Sequence, residues 1–146
     1  MTRSRRLQDD SGQATVEAAY ERYLAFIGRE VESGRYPQYK AMGMAYIRFA
    51  DEERELFRLL FMCDRTGADL SPSADFEQSV KIIMETNGIT RERAWRMHLE
   101  MWSCVHGIGT MLATSFLPLE RELISDMLTD VYQGVRMKIM SEEGVK

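Results

Sequence analysis

One stretch limits what this chain can fold into: from Thr90 to Phe116 the residues follow a helical pattern that is apolar or small on nearly every face. At about 100° per residue, Met97, Met101, Cys104, Ile108 and Met111 form one stripe, and Trp95, Trp102, Val105, Gly109, Leu112 and Phe116 a second. Ser103, Gly107, Thr110 and Thr114 make a third, small face. After Glu100 no charged residue follows until Glu120, beyond the helix end. A helix on the outside of a monomer keeps one charged side toward water, and this one has none over most of its length. It must be covered by the rest of its own domain, by a second subunit, or by both.

The flanking sequence predicts five more helices and no strands. From Ala14 to about Ser33 the apolar positions Val16, Tyr20, Tyr23, Leu24, Ile27 and Val31 keep the helical period, and Gly34 ends the run. Pro37 opens a second helix with Met42, Tyr46 and Phe49 beside Ala41, Ala45 and Ala50, closing in Asp51, Glu52 and Glu53. Glu53 and Glu55 suit the start of a short third helix, where Leu56, Phe57, Leu59, Leu60, Phe61 and Met62 are too apolar to stand in water. Asp64 to Pro72 is polar and reads as a mobile connection. A fourth helix carries Phe76, Val80, Ile83 and Met84 and ends at Asn87-Gly88. Thr90 is a suitable cap for the central helix, and Pro118 marks its end. The last helix, about Leu119 to Met140, sets Leu123, Ile124, Met127, Leu128, Val131, Tyr132, Val135 and Ile139 against Glu122, Asp126, Asp130, Gln133 and Arg136. The expected fold class is all-α, a bundle of about six helices.

At 146 residues and 45% hydrophobic content the chain suits one domain, expected over residues 14–140. Residues 1–13, with Arg3, Arg5 and Arg6 followed by Gln8, Asp9, Asp10, Ser11 and Gly12, read as a disordered tail, and 141–146 as a C-terminal tail. A net charge of -4 disfavours nucleic-acid binding by this chain alone. There is no apolar leader and no window near ~18 consecutive apolar residues, so a cytoplasmic protein that does not enter the membrane is expected. Cys63 and Cys104 are expected to be reduced, buried thiols. His98 and His106 lie eight positions apart on one helix, about 12 Å along its axis, too far to chelate one ion. No G-x-S-x-G, H-E-x-x-H, P-loop or C-x-x-C pattern occurs, and Cys104 projects about 160° away from His106. The chain is expected to carry no catalytic residues, metal site or cofactor.

Gly88-Ile89-Thr90-Arg91-Glu92-Arg93-Ala94, followed by Trp102-Ser103-Cys104-Val105-His106-Gly107, resembles the ligand-binding and dimerisation domain of TetR-family transcriptional regulators, within the group named for a Trp, His and Gly. Met44-Ala45-Tyr46-Ile47-Arg48-Phe49-Ala50 through Leu56-Phe57-Arg58-Leu59-Leu60-Phe61 is similar to the segment preceding that motif. The resemblance covers about Ala14 to Ile139. It implies a homodimer, in which the last two helices of each subunit form a four-helix bundle, and an effector that shifts the subunit angle. It also implies that DNA is reached only through a helix-turn-helix domain, for which Met1 to Gln13 leave no room ahead of the first core helix.

Two readings of function follow. The first is a sensor for a small hydrophobic or aromatic molecule. Tyr20, Tyr23, Tyr46, Phe49, Phe57 and Phe61 would line its pocket, with Met42 beside them and Trp102 and His106 from the central helix. Trp102 fits either a cavity wall or plain core. His106 fits a ligand contact, a pH-responsive group, or a neutral imidazole satisfied by a backbone carbonyl or by Tyr46. The dimer interface would use Ser103, Gly107, Thr110, Met111 and Thr114 of the central helix with Leu123, Met127 and Val131 of the last. The second reading is a helical dimeriser without a ligand, acting through mixed dimers with a full-length regulator. A cavity among the first three helices separates the two.

Overall fold

A computed structural model of the chain describes residues 2–63 and 74–144, with side chains over 16–63 and 75–142. Six helices follow in order: α1 Thr2–Glu32, α2 Gln38–Glu52, α3 Arg54–Phe61, α4 Ala74–Asn87, α5 Arg91–Ala113 and α6 Arg121–Gly144. No strand occurs among the described residues, and no helix there is long and apolar enough to cross a membrane. The connection expected over Asp64 to Pro72 lies outside the described residues. At the N-terminus the helical backbone begins at Thr2, well ahead of the apolar pattern that starts near Ala14.

Local chemistry explains most boundaries. Thr90 caps α5, its hydroxyl accepting from the Arg93 N–H at 3.3 Å. Gly34 and Gly88 follow α1 and α4 with φ of 66° and 64°, a left-handed turn that glycine makes without a Cβ penalty. The far end of α5 is less ordinary. Ser115 holds φ 55°, while the Phe116 N–H reaches Met111 O at 2.9 Å and the Ser115 N–H reaches Leu112 O at 3.1 Å. This is a Schellman closure with serine in the position usually given to glycine. It ends the helix at Ala113, before the Phe116 expected from the apolar pattern, and leaves Phe116 80% exposed in the turn.

α5 is the central element, packed against α2, α3, α4 and α6, while α1 lies across α2 and α3. Its covered side joins two separate apolar cores. The larger joins Phe26, Tyr46, Phe49, Ala50 and Phe57 to Val105, Ile108, Leu112, Ile124 and Leu128. The smaller joins Val80 and Ile83 of α4 with Ile89, Ala94, Met97 and Ile139. Gly109 makes the closest approach: a Cβ there would stand 3.2 Å from both Ala50 Cβ and Phe57 Cζ. Charged clips hold the ends, with Arg121 Nη2 donating to the buried Glu30 carboxylate at 2.9 Å and Arg58 Nη2 to Ala113 O at 3.1 Å. The latter satisfies a carbonyl that the end of α5 leaves open.

Covering is one-sided. Ser103, Gly107 and Thr114 are exposed, and nothing lies within 4 Å of a Cβ built on Gly107. No other helix of the subunit therefore approaches Gly107 closely, and the tight position lies two residues on, at Gly109. Both cysteines are free, but neither is fully buried as expected: Cys104 is half-buried, and Cys63 is exposed because it falls just past the end of α3.

Candidate functional site

Between the two cores lies a cavity of about 1180 Å³, above the ~300–1,000 Å³ usual for small-molecule sites. Its walls come from every helix. α1 contributes Val16, Tyr20 and Tyr23, α3 contributes Leu59, Leu60 and Phe61, and α5 contributes Trp95, His98, Leu99, Met101, Trp102 and Val105. α2 brings Tyr39, Lys40, Met42, Gly43 and Tyr46. α4 adds Asp75, Phe76, Ser79, Ile82, Ile83, Thr86 and Asn87, and α6 adds Leu128, Thr129, Tyr132, Gln133 and Arg136. The space expected among the first three helices and α5 thus extends on to α4 and α6.

Of the eight residues singled out for ligand contact, Tyr20, Tyr23, Tyr46, Phe61 and Trp102 line the cavity. Phe49 and Phe57 do not; both are 0% exposed and form a second row behind the wall. Tyr23 packs on Phe49 at 5.4 Å and on Phe61 at 5.1 Å, and Tyr46 on Phe57 at 5.4 Å and Phe61 at 4.8 Å. These tilted and edge-on contacts fix the phenol rings before any ligand arrives. His106 also stands behind the wall, its Nδ1 2.7 Å from the Tyr46 hydroxyl and its ring between Trp102 and Phe57, at 5.4 Å and 5.8 Å. Tyr46 is the partner named from the sequence. Trp102 is 38% exposed and shares a half-open stripe with Trp95 and Leu99, so it is wall rather than core.

Met42, named beside the pocket in the sequence, also lines the cavity, and the remaining wall residues were not assigned to it. Tyr39 Oη and His98 Nδ1 are hydrogen-bonded at 2.8 Å, and the Tyr39 ring lies 5.8 Å from that of Tyr132. Asn87 Nδ2 donates to Ile83 O and to Tyr132 Oη, each at 3.1 Å, and Arg136 Nε donates to Asn87 Oδ1 at 2.8 Å. At the opposite end the Tyr20 hydroxyl donates to Asp75.

Burial makes most of these groups neutral. The Tyr20 phenol is pushed up to about 12, first by burial and then by the neighbouring Asp75 carboxylate. Burial also raises Tyr23, Tyr39 and Tyr46 above the usual phenol value. It lowers His98 to about 4 and shifts His106 in the same direction. At neutral pH the wall therefore offers undissociated hydroxyls and uncharged imidazoles. No group of three or more His, Cys, Asp or Glu residues placed to hold a metal occurs among the described residues.

A second surface is apolar but outward-facing. On α6, Leu123 is 49% and Met137 68% exposed, with Met127 and Val131 half-buried between them and Gly134 open to within 4 Å. Their spacing places them on one stripe of the helix. On α5, Ser103, Gly107 and Thr114 are exposed and Thr110 and Met111 half-buried.

The class defined by this architecture is an all-helical domain with a large, aromatic-walled cavity and an apolar outer face. Residues 39–132, more than half of the chain, match the family described as tetracyclin repressor-like, C-terminal domain. The chain belongs to this family of regulatory domains, which in TetR regulators typically bind ligands and mediate dimerisation. Comparison with curated proteins and with solved structures gives no match.

Proposed function

We propose that residues 14–140 form the sensing and dimerisation domain of a cytoplasmic TetR-like transcriptional regulator, and that its effector is a small hydrophobic or aromatic molecule. The observation that carries this reading is the cavity of about 1180 Å³ between the two cores. A purely structural dimeriser has no use for a deep concave site walled by apolar and aromatic side chains, which is the usual form of a small-molecule site. Tyr20, Tyr23, Tyr46, Phe61 and Trp102 contact the effector directly, while Phe49, Phe57 and His106 hold those rings in place.

The outer stripe supports the homodimer, because monomers rarely leave a continuous apolar strip in water. Leu123, Met127, Val131 and Met137 of α6, with Ser103, Gly107, Thr110, Met111 and Thr114 of α5, meet the same surface of a second copy. The effector acts by binding one subunit arrangement more tightly than another, a population shift. DNA contact requires a helix-turn-helix element outside these residues.

The test uses N-phenylnaphthylamine, a neutral apolar fluorophore, titrated into the full chain. The reading expects saturable binding that Leu60→Trp, which adds bulk to the cavity wall, abolishes. Equal binding by wild type and Leu60→Trp would move the site elsewhere.

A further inference from the structure

One end of the cavity is polar, cationic and unmatched. Arg136 uses a single donor there, Nε to Asn87 Oδ1 at 2.8 Å, and its two terminal nitrogens have no protein partner among the described residues. The arrangement is built rather than accidental. Asn87 is 9% exposed and has its whole side chain committed, donating to Ile83 O and Tyr132 Oη while accepting from Arg136. It thereby fixes both Arg136 and Tyr132. Tyr132 Oη accepts from Asn87, which leaves its own proton to be donated into the cavity. His98, 8% exposed, spends Nδ1 on Tyr39, and its Nε2 has no partner among the described residues.

Charge at this end has one sign. Lys40 lines the cavity with its Nζ on Thr129 Oγ1 at 2.7 Å and over the Tyr36 ring at 5.1 Å, with no ion pair among the described residues. It lies in the first turn of α2, whose N-terminus has neither a side-chain cap nor an acidic residue, so the positive end of that helix dipole adds to the field. The lining carboxylate is Asp75, at the other end of α4. It stands twelve positions along the helix from Asn87, about 18 Å at 1.5 Å per residue, and it accepts from Tyr20.

We propose that Arg136 and Tyr132 form an anion subsite and that the effector is an organic acid, an apolar or aromatic body carrying a carboxylate. The two free nitrogens of a guanidinium match the two oxygens of a carboxylate, and hydrogen bonds between opposite charges are the stronger kind. The apolar body lies toward Tyr23, Tyr46, Phe61 and Trp102. This inference rests on the cavity being the effector site. Arg136 lies beyond the residues 39–132 that match the family, so the match itself does not assign it.

Fluorescence titration of the full chain with pyrenebutyrate and pyrenebutanol, which share ring and chain and differ in the head group, tests it. At neutral pH the acid binds at least about tenfold more tightly than the alcohol. Arg136→Met removes about tenfold of the acid's affinity and leaves the alcohol within about twofold. Tyr132→Phe weakens the acid alone, and with the wild-type ratio it carries the test should Arg136→Met fail to fold. Equal affinity for the two probes, or an equal loss for both in Arg136→Met, would overturn the subsite while leaving the cavity reading intact. Binding of neither probe would overturn both.

Discussion

Gly107 and Gly109 stand two positions apart on α5, about 200° around the helix, and the structure assigns them opposite roles. A Cβ on Gly109 would lie 3.2 Å from Ala50 Cβ and 3.2 Å from Phe57 Cζ, and both neighbours are 0% exposed, so either must shift within the packed core to admit it. Replacing a mid-helix glycine by alanine gains up to about 1 kcal/mol of propensity. Forcing a methyl into a packed core costs about 1–3 kcal/mol. Gly109→Ala should therefore be destabilised by about 1 kcal/mol net, the difference of those two effects. Nothing lies within 4 Å of a Cβ on Gly107, so in the isolated subunit Gly107→Ala keeps the propensity gain unopposed. Gly107→Leu should leave the subunit folded while driving the proposed dimer apart. Urea denaturation at two protein concentrations separates folding from association, and sedimentation velocity reports the subunit count. Gly109→Ala as stable as wild type would refute the packing assignment. A Gly107→Leu protein that stays dimeric with unchanged dissociation would remove the small face of α5 from the interface.

Three other outcomes follow from the same structure. Trp102→Ala should cost about 1–2 kcal/mol, less than the ~3–5 of a fully buried aromatic, because Trp102 is 38% exposed; a loss in the core range on urea denaturation would contradict its place in the wall. His98 titrates near 4 in the folded chain against an ordinary 6.5, so the unfolded chain takes up the proton first as pH falls. Stability is full above about 6.5 and declines through the window down to about 4, by about 2 kcal/mol on reaching pH ~5 at ~1.4 kcal/mol per unit. His106 shifts the same way and adds to the slope; a His98→Gln variant that keeps the wild-type slope would contradict burial as its source. Ser115→Gly should stabilise the chain by about 1 kcal/mol by removing the Cβ penalty at φ 55°, and a loss of stability would mean that the Ser115 contact with Arg54 outweighs it.

What could be read in advance was local or periodic. Thr90 as a cap, Gly34 and Gly88 as stops, and an all-helical chain each depend on a few neighbouring residues, and each apolar-periodic stretch lies on a helix, although α1 begins at Thr2, ahead of its pattern, and α5 stops at Ala113, short of Phe116. The turn after α5 escaped because its left-handed residue is a serine, which carries no such signal. The site was legible as an aromatic surplus in the first three helices, with Trp102 and His106 added from α5. Phe49 and Tyr46 lie on one helix, Phe57 and Phe61 on another, and nothing local says which of each pair faces a gap and which backs it. That is decided when α5 settles against α2 and α3. The polar end was harder still, because it forms from partners 45 and 49 positions apart, Asn87 with Tyr132 and with Arg136. In the sequence Asn87 marked only a helix end, and Arg136 only the solvent side of α6.

Native mass spectrometry of the full chain, sprayed with and without N-phenylnaphthylamine, bears most directly on the central claim, because it counts subunits and bound molecules in the same ion. The account predicts a dimer that takes up one probe molecule per subunit, with the Leu60→Trp protein dimeric but empty. A monomer, or a dimer that binds no probe, would contradict it.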